Sequence, residues 1–391
     1  MKKSILLLSA LCITLSSWAY DFKSGGIYYT ITSSTTPYMI AVSSDNVSYS
    51  HYSGSITIPN SVIYNSINYS VTSIGNGAFS ECSALTSITI PSTITSIGNG
   101  AFAFCSGLTS LSIPSSVTSI GEASFNGCSG LTSITIDPAN TTFSSEDGVL
   151  FNKDKTMLFY CLNTKSGSYA IPSTVTSIIG GTFSGCSGLT SITIPTAVTS
   201  IIGGTFNGCS GLTSITIPSA VTSIGNYAFN GCSGLTSINI PSAVTSIGDG
   251  AFLGCSGLTS IYVNNATPVD LSFSYYVFAN ILGSYTSTCV LHVPFGSAAA
   301  YDAAVQWTDF TTIVADVTPV FNAKASNLKI TTVNGKAVIS GLSQGTSLAV
   351  YNLQGAVIYN QQAASETVCV NLSARGVYVV KVGTESVKVV Y

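Results

Sequence analysis

The stretch Phe206–Gly225, "FNGCSGLTSITIPSAVTSIG", decides how the chain is read, because part of it, "GCSGLTSI", occurs five times. A segment repeated this closely is a structural unit rather than an active site. Phenylalanines set the period, at Phe79, Phe102, Phe125, Phe183, Phe206, Phe229 and Phe252. Their numbers rise in steps of 23, 23, 58, 23, 23 and 23. A cysteine trails each by three places, at Cys82, Cys105, Cys128, Cys186, Cys209, Cys232 and Cys255. "LTSITI" alternates hydroxyl and apolar side chains, as a short strand with one buried face does. The proline behind it, such as Pro218, ends the strand because it cannot donate to a ladder. "VTSI" is a second short extended run, and the glycine after it, such as Gly225, permits a turn. "AFxxC" then places a large and a small apolar group inward, on a short helical or irregular turn. One such coil cannot bury its own apolar side, but stacked coils bury one another's, giving parallel ladders spaced about 4.8 Å apart.

This placement explains the cysteines. Seven of them hold one register beside a phenylalanine, where a small buried apolar residue suits the core. They form a structural ladder together with the phenylalanines, and no C-x-x-C or paired histidine suggests a metal. Cys161, Cys289 and Cys369 stand outside the ladder, and the spacing assigns them no role.

Charge narrows the function. Only 7% of the 391 residues are charged, against about 25% in an ordinary domain. Arg375 is the sole arginine, so the chain has no basic face for nucleic acid, which such binding needs. No apolar run beyond the start approaches the ~20 residues of a spanning helix. The start, "MKKSILLLSALCITLSSWAY", has two lysines, an apolar run and a small-x-small site, and reads as a signal peptide over residues 1–19. Leu11 before Cys12 argues against a lipoprotein anchor. Residues 20–316 carry 4 Lys and 13 acidic residues, whereas 317–391 carry 6 basic and 2 acidic ones, so the sign of the charge changes near 317 and marks a domain boundary.

The unit resembles the BspA-type (Treponema pallidum-type) leucine-rich repeat, whose hallmark "LTSITIPSxVTSIGxxAFxGCSG" the chain follows over residues 71–263. The resemblance implies a mainly β fold: a leucine-rich-repeat solenoid with a β-rich N-terminal cap at 20–70 and a closing segment at 264–316. In that segment a strand ends at Pro294, and a short helix carrying Tyr301 and Trp307 folds over the last coil. The one long step, from Phe125 to Phe183, resembles the family's long repeat, with an insert at about 137–174 whose "GVLFNKDKTMLFY" reads as a hairpin. The insert holds Asp137, Glu146, Asp147, Lys153, Asp154, Lys155 and Lys165, which serve either as a solvated edge or as a contact loop.

Residues 317–391 read as strands of an antiparallel sandwich. "YNLQGAVIY", "GVYVVKV" and "VKVV" resemble the immunoglobulin-like C-terminal sorting domain of type IX secretion. Gly355, Gly376 and Lys388 fall on its motif positions. The resemblance implies handling by that export machinery and placement on the outer surface of a Gram-negative bacterium.

No catalytic set appears. His51 and His292 fall in the two caps, no G-x-S-x-G elbow or phosphate loop occurs, and "FSSEDG" lacks the alternating ligands of a calcium loop. No enzyme activity and no cofactor are expected. The stack offers a surface instead. Thr89, Ser112, Thr135, Thr193, Thr216, Asn239 and Tyr262 alternate with buried positions and form a candidate binding face. Beside them run Ser87, Ser110, Ser133, Ser191, Ser214, Ser237 and Ser260. An exposed ladder face needs polar, β-prone residues in any case, and a solenoid face also suits a broad ligand. Family resemblance implies a secreted adhesin-like module that binds host or bacterial protein or glycoprotein. Carbohydrate binding, helped by Tyr262, Tyr275 and Tyr276, stands as the alternative, and an inert or ice-binding scaffold as a third.

Overall fold

The structure is a computed structural model that describes residues 20–44, 52–279, 289–294, 296–316, 329–333, 336–352, 355–372, 377–383 and 385–390. The expected signal peptide, Cys12, His51 and Gly376 lie outside these residues. The chain divides into two compact units, Met1–Thr142 and Phe143–Tyr391. The fold is mainly β, a solenoid whose stacked coils repeat with the period of the phenylalanines.

In the first unit, Phe22–Ser24, Ile27–Ser33 and Met39–Ser43 form an antiparallel meander. Its last strand pairs in parallel with Ile67–Ile74, which folds back on Ser61–Tyr64 as a hairpin. The end of Ile67–Ile74 enters the stack, with Ser73 opposite Ser96 and Ser96 opposite Ser119. A second parallel row sets Gly54–Thr57 on Leu85–Thr89, and Ser110–Ile113 on Ser133–Ile136. Each coil thus spends "LTSIT" on one row and "SI" on the other.

The turn after "SI" is neither helical nor irregular. It makes a third inter-coil ladder. The N–H groups of Gly77, Phe79 and Glu81 donate to the carbonyls of Asn99, Ala101 and Ala103, at 2.9, 2.8 and 2.7 Å. The pattern recurs in the second unit, where Gly204, Phe206 and Gly208 donate to Asn226, Ala228 and Asn230. The donors two places before and two after Phe206 hold positive φ, 66° at Gly204 and 71° at Gly208. That conformation favours glycine, which accounts for the recurring "G" on either side of "F". Gly225 answers a different demand: a Cβ there would sit 2.5 Å from the backbone nitrogen of Gly203 in the preceding coil.

The second unit opens with a meander of Phe143–Glu146, Val149–Asn152 and Met157–Cys161. The expected hairpin is present, with Phe143–Glu146 added as a third strand. Met157–Cys161 then joins the stack, pairing in parallel with Ser177–Ile178. Gly167–Ala170, Leu189–Thr193 and Ser214–Thr216 form one parallel run, and Ser237–Ile240, Ser260–Val263, Val290–Pro294 and Thr312–Asp316 another. The apolar side chains of these coils form one core that runs from Val149 to Phe310.

The stack runs on past residue 263. Phe252 donates its N–H to Val277, and its ring lies 5.7 Å from that of Phe278. Phe278 therefore continues the phenylalanine column, after a step slightly longer than the regular one. Tyr301 lies on the helix Ala298–Asp302, but Trp307 sits in a separate 3-10 turn, Trp307–Asp309. Gln306 divides the two: it holds φ 62°, and its side-chain amide donates to the carbonyls of Leu271 and Ser274. Trp307 covers Phe278 at 4.9 Å and donates its indole N–H to Val269 O.

Near the C-terminus, Lys329–Val333, Lys336–Ser340 and Thr367–Asn371 form one antiparallel sheet. Ser347–Asn352, Val357–Gln362, Val377–Val382 and Glu385–Val390 form another. Ala337, Ile339 and Val370 from the first share a core with Leu348, Val350 and Val380 from the second.

Candidate binding surfaces

The inner column comes first, because it fixes what faces outward. Phe79 and Phe102 stack with centroids 5.3 Å apart, and Phe102 and Phe125 at 6.0 Å. In the second unit Phe183, Phe206, Phe229 and Phe252 follow at 5.5, 5.3 and 5.4 Å, with planes within 17° of parallel. All seven rings and the seven cysteines that follow them are buried. Five of these phenylalanine carbonyls accept twice. Phe206 O takes the N–H of Cys209 at 3.2 Å and the thiol of Cys232, in the next coil, at 3.1 Å. Cys105, Cys128, Cys209 and Cys255 make the same thiol bond to Phe79, Phe102, Phe183 and Phe229. The position calls for a side chain that is small, apolar and still a donor, and cysteine is all three.

No disulfide joins any of the ten described cysteines. Burial pushes the thiols of Cys128 and Cys209 up to about 12 and raises Cys105 further. They are therefore protonated and poor nucleophiles at neutral pH. Cys161 and Cys289 are buried and Cys369 is exposed. Cys161 donates its N–H to Thr182 O, the bond a phenylalanine makes in other coils, and so occupies the phenylalanine register of the inserted coil.

The strand face presents the expected hydroxyl row. Thr89, Ser112 and Thr135 are exposed in the first unit; Thr193, Thr216 and Asn239 are exposed in the second, and Tyr262 is half-buried. In strand register Thr193 stands beside Thr216, and Asn239 beside Tyr262. His292 follows Tyr262, and the two rings stack at 4.3 Å with 17° between planes. The neighbouring serines bond to one another, Ser87 to Ser55 at 2.7 Å and Ser191 to Ser168 at 2.8 Å. Part of this row's hydrogen-bonding capacity is thus spent inside the ladder.

The inserted meander carries paired charge. Lys155 bonds to Glu146, and Lys165 bonds to Asp147 while its ammonium lies 4.6 Å from the ring centre of Tyr169. The Lys155–Glu146 pair is solvent-facing, and exposed pairs of this kind stabilise little. At the other end of the chain, Gly355 holds φ 83° in the turn after Ser347–Asn352, and Lys388 lies opposite Val379 in the last strand pair.

The turn edge holds residues that the repeat alone does not single out. At the register two places before phenylalanine, five coils have glycine, but Ala123, Tyr227 and Tyr276 take the same left-handed backbone at φ 54°, 55° and 56°. Phe104 and Glu81 do so at the register two places after, with φ 60° and 61°. A non-glycine residue in this conformation costs about 1–2 kcal/mol. Phe104 lies over Gly127 and lines a hollow of about 380 Å³ with Glu81 and Ser83. Tyr227 lies over Gly250 in the same manner.

Among the described residues, no three His, Cys, Asp or Glu side chains gather as metal ligands, and no helix is long and apolar enough to cross a membrane.

A family model for the BspA-type leucine-rich repeat region matches residues 46–147 and 155–282 in six copies, more than half the chain. The chain belongs to the BspA-type leucine-rich repeat family. The matched span includes the coil of Phe278, consistent with the extended ring column. No curated protein matches the sequence. Among solved structures, the pneumococcal vaccine antigen PcpA is similar, with a TM-score of 0.53 and 18% identity over 76% of this chain and 99% of that one. A leucine-rich cell surface protein from Faecalibacterium prausnitzii gives a TM-score of 0.49 and 21% identity, over 72% and 96%. At its identity the likeness to PcpA shows the fold alone. BspA-type chains are built as repeat scaffolds suited to binding, and this one presents two distinct surfaces, a hydroxyl strand face and an aromatic turn edge.

Proposed function

We propose that this BspA-type protein is exported and acts at the cell surface as a binding module for an extracellular protein or glycoprotein. The observation that carries the reading is the outward row from Thr193 to Tyr262, set on two successive runs of parallel strands. A broad ladder of this kind suits a macromolecular ligand better than a small one. That a vaccine antigen shares the fold agrees with such a location. In this reading residues 20–70 and 264–316 close the stack, and 317–391 form an immunoglobulin-like sorting module read by type IX export machinery on a Gram-negative cell.

The test applies the mature chain, residues 20–391, to immobilised extracellular matrix proteins, bacterial surface proteins and glycans. Saturable binding to a protein, weakened about tenfold or more by lysines at Thr193 and Thr216, is the expected result. Binding to glycans alone would transfer the reading to carbohydrate recognition, and no binding would overturn both. Deleting 317–391 in a host with type IX export should leave the protein in the periplasm. Truncated protein on the outer surface would overturn the sorting assignment.

A further inference from the structure

The end of the second unit's stack combines two features. The first is aromatic exposure. Phe273, Tyr275 and Tyr276 are 88%, 67% and 72% exposed, and Tyr227, two coils earlier, is 45% exposed. The backbone beneath them is pinned. Tyr275 donates its N–H to the Asp249 carboxylate at 2.8 Å and accepts the Gly250 N–H at 2.8 Å. Tyr227 and Tyr276 stand in the register that most other coils give to glycine. The second feature is one-sided charge. Residues 166–323 contain no lysine or arginine, and their five acidic residues, Asp249, Asp270, Asp302, Asp309 and Asp316, all fall in the second half of that span. Asp270 is ionised, its carboxyl held low by hydrogen bonds from Ser272.

Elsewhere the molecule shows what such a setting holds. Lys165 sits against the Tyr169 ring while bonding to Asp147. The Tyr275–Asp249 pair has the same two chemistries, and the surrounding sequence supplies no cation. We infer that the aromatic turn edge at Tyr227, Phe273, Tyr275 and Tyr276, flanked by Asp249 and Asp270, docks an arginine- or lysine-bearing segment of a partner protein. Guanidinium and ammonium groups lie on the rings while the carboxylates take their N–H donors. The inference rests on the proposed protein-binding function and deepens it, adding the turn edge to the strand face as a second contact region.

The test measures binding of a labelled dodecapeptide of alternating arginine and glycine to the full mature chain, with a glutamate–glycine peptide as control. The arginine peptide binds, the glutamate peptide does not, and binding weakens as salt is raised. Combined Tyr275→Ser and Tyr276→Gly substitution weakens it about tenfold or more, by loss of two ring contacts. Tyr276→Gly alone raises the melting temperature, because glycine suits the left-handed backbone. That opposition of tighter folding and weaker docking separates a docking role from a packing role. Asp249→Asn keeps the acceptor for Tyr275 and weakens the peptide severalfold through charge alone. Equal binding of both peptides, displacement by the uncharged sugar maltohexaose, or undiminished binding by the double variant would overturn the inference. If matrix-protein binding survives the double variant, the turn edge is excluded while the protein-binding function stands. If the peptide docks as described but no protein partner is captured, it is the function that fails.

Discussion

The regular coil around Phe206 and the inserted coil around Cys161 solve one packing problem by different means. In the regular coil a phenylalanine fills the core level, and its carbonyl anchors the thiol of the next coil at 3.1 Å. In the inserted coil Cys161 stands in the ring's register, and the next thiol, Cys186, reaches Leu162 O at only 3.6 Å. The missing ring volume comes from another strand: Tyr169 packs on Phe183 with centroids 6.1 Å apart. The stack preserves a filled layer at each level and the backbone ladder between levels, not the identity of the filling residue. That is the behaviour expected of a close-packed interior.

The largest test of this comparison is Phe206→Ala. It removes a fully buried ring between two others and should destabilise the second unit by about 3–5 kcal/mol, measured by chemical denaturation. A variant as stable as the parent would show that the column is not the core. Next, Cys161→Phe restores the common residue where Tyr169 already occupies the space. Overpacking should cost about 1–3 kcal/mol, and adding Tyr169→Ala should recover part of the loss. Additive losses in the double variant would mean that the two side chains do not share one volume. A smaller effect concerns pH. Cys209 titrates near 12 in the fold and near 8.5 when unfolded, so above about pH 8.5 the unfolded chain releases a proton that the folded chain keeps. Stability is then fully present below that pH and falls between about pH 8.5 and 12, by up to about 1.4 kcal/mol per pH unit for each such thiol. Thermal melts from pH 7 to 11 should show the decline, and Cys209→Ala should make it shallower. A flat profile would contradict the buried thiol column. Alkylation of the native protein at pH 7 should leave the ladder cysteines unmodified until denaturant is added.

The coil was legible in the sequence because a fixed rhythm needs no tertiary information. Phe, then Cys three places on, then Leu and Ile at alternate places, state which side chains point inward. Phe278 escaped that reading because its step from Phe252 breaks the rhythm and no "GCSG" follows it. Cys161 escaped because register belongs to backbone pairing, here its bond to Thr182 O, and not to residue type. The turn's ladder is not legible in "GAFxxC", which carries no strand alternation; it depends on positive φ on both sides of phenylalanine. The strand face followed from alternation alone. The aromatic turn edge did not, since Tyr227 and Tyr276 gain meaning only when set against the glycines of neighbouring coils.

The third ladder has a consequence for length. Phe206 bonds to Ala228, and Phe229 to Ala251, each one coil away, so no backbone bond of this ladder spans two coils. Cutting out 207–229 would bring Phe206 against the coil of Phe252 with every donor facing an equivalent acceptor. The stack of the second unit is a graduated scale, marked off in steps of about 4.8 Å. A ligand that touches two coils reads a distance as well as a chemistry. Adding or losing whole coils would change the spacing between contact points while leaving each point unaltered.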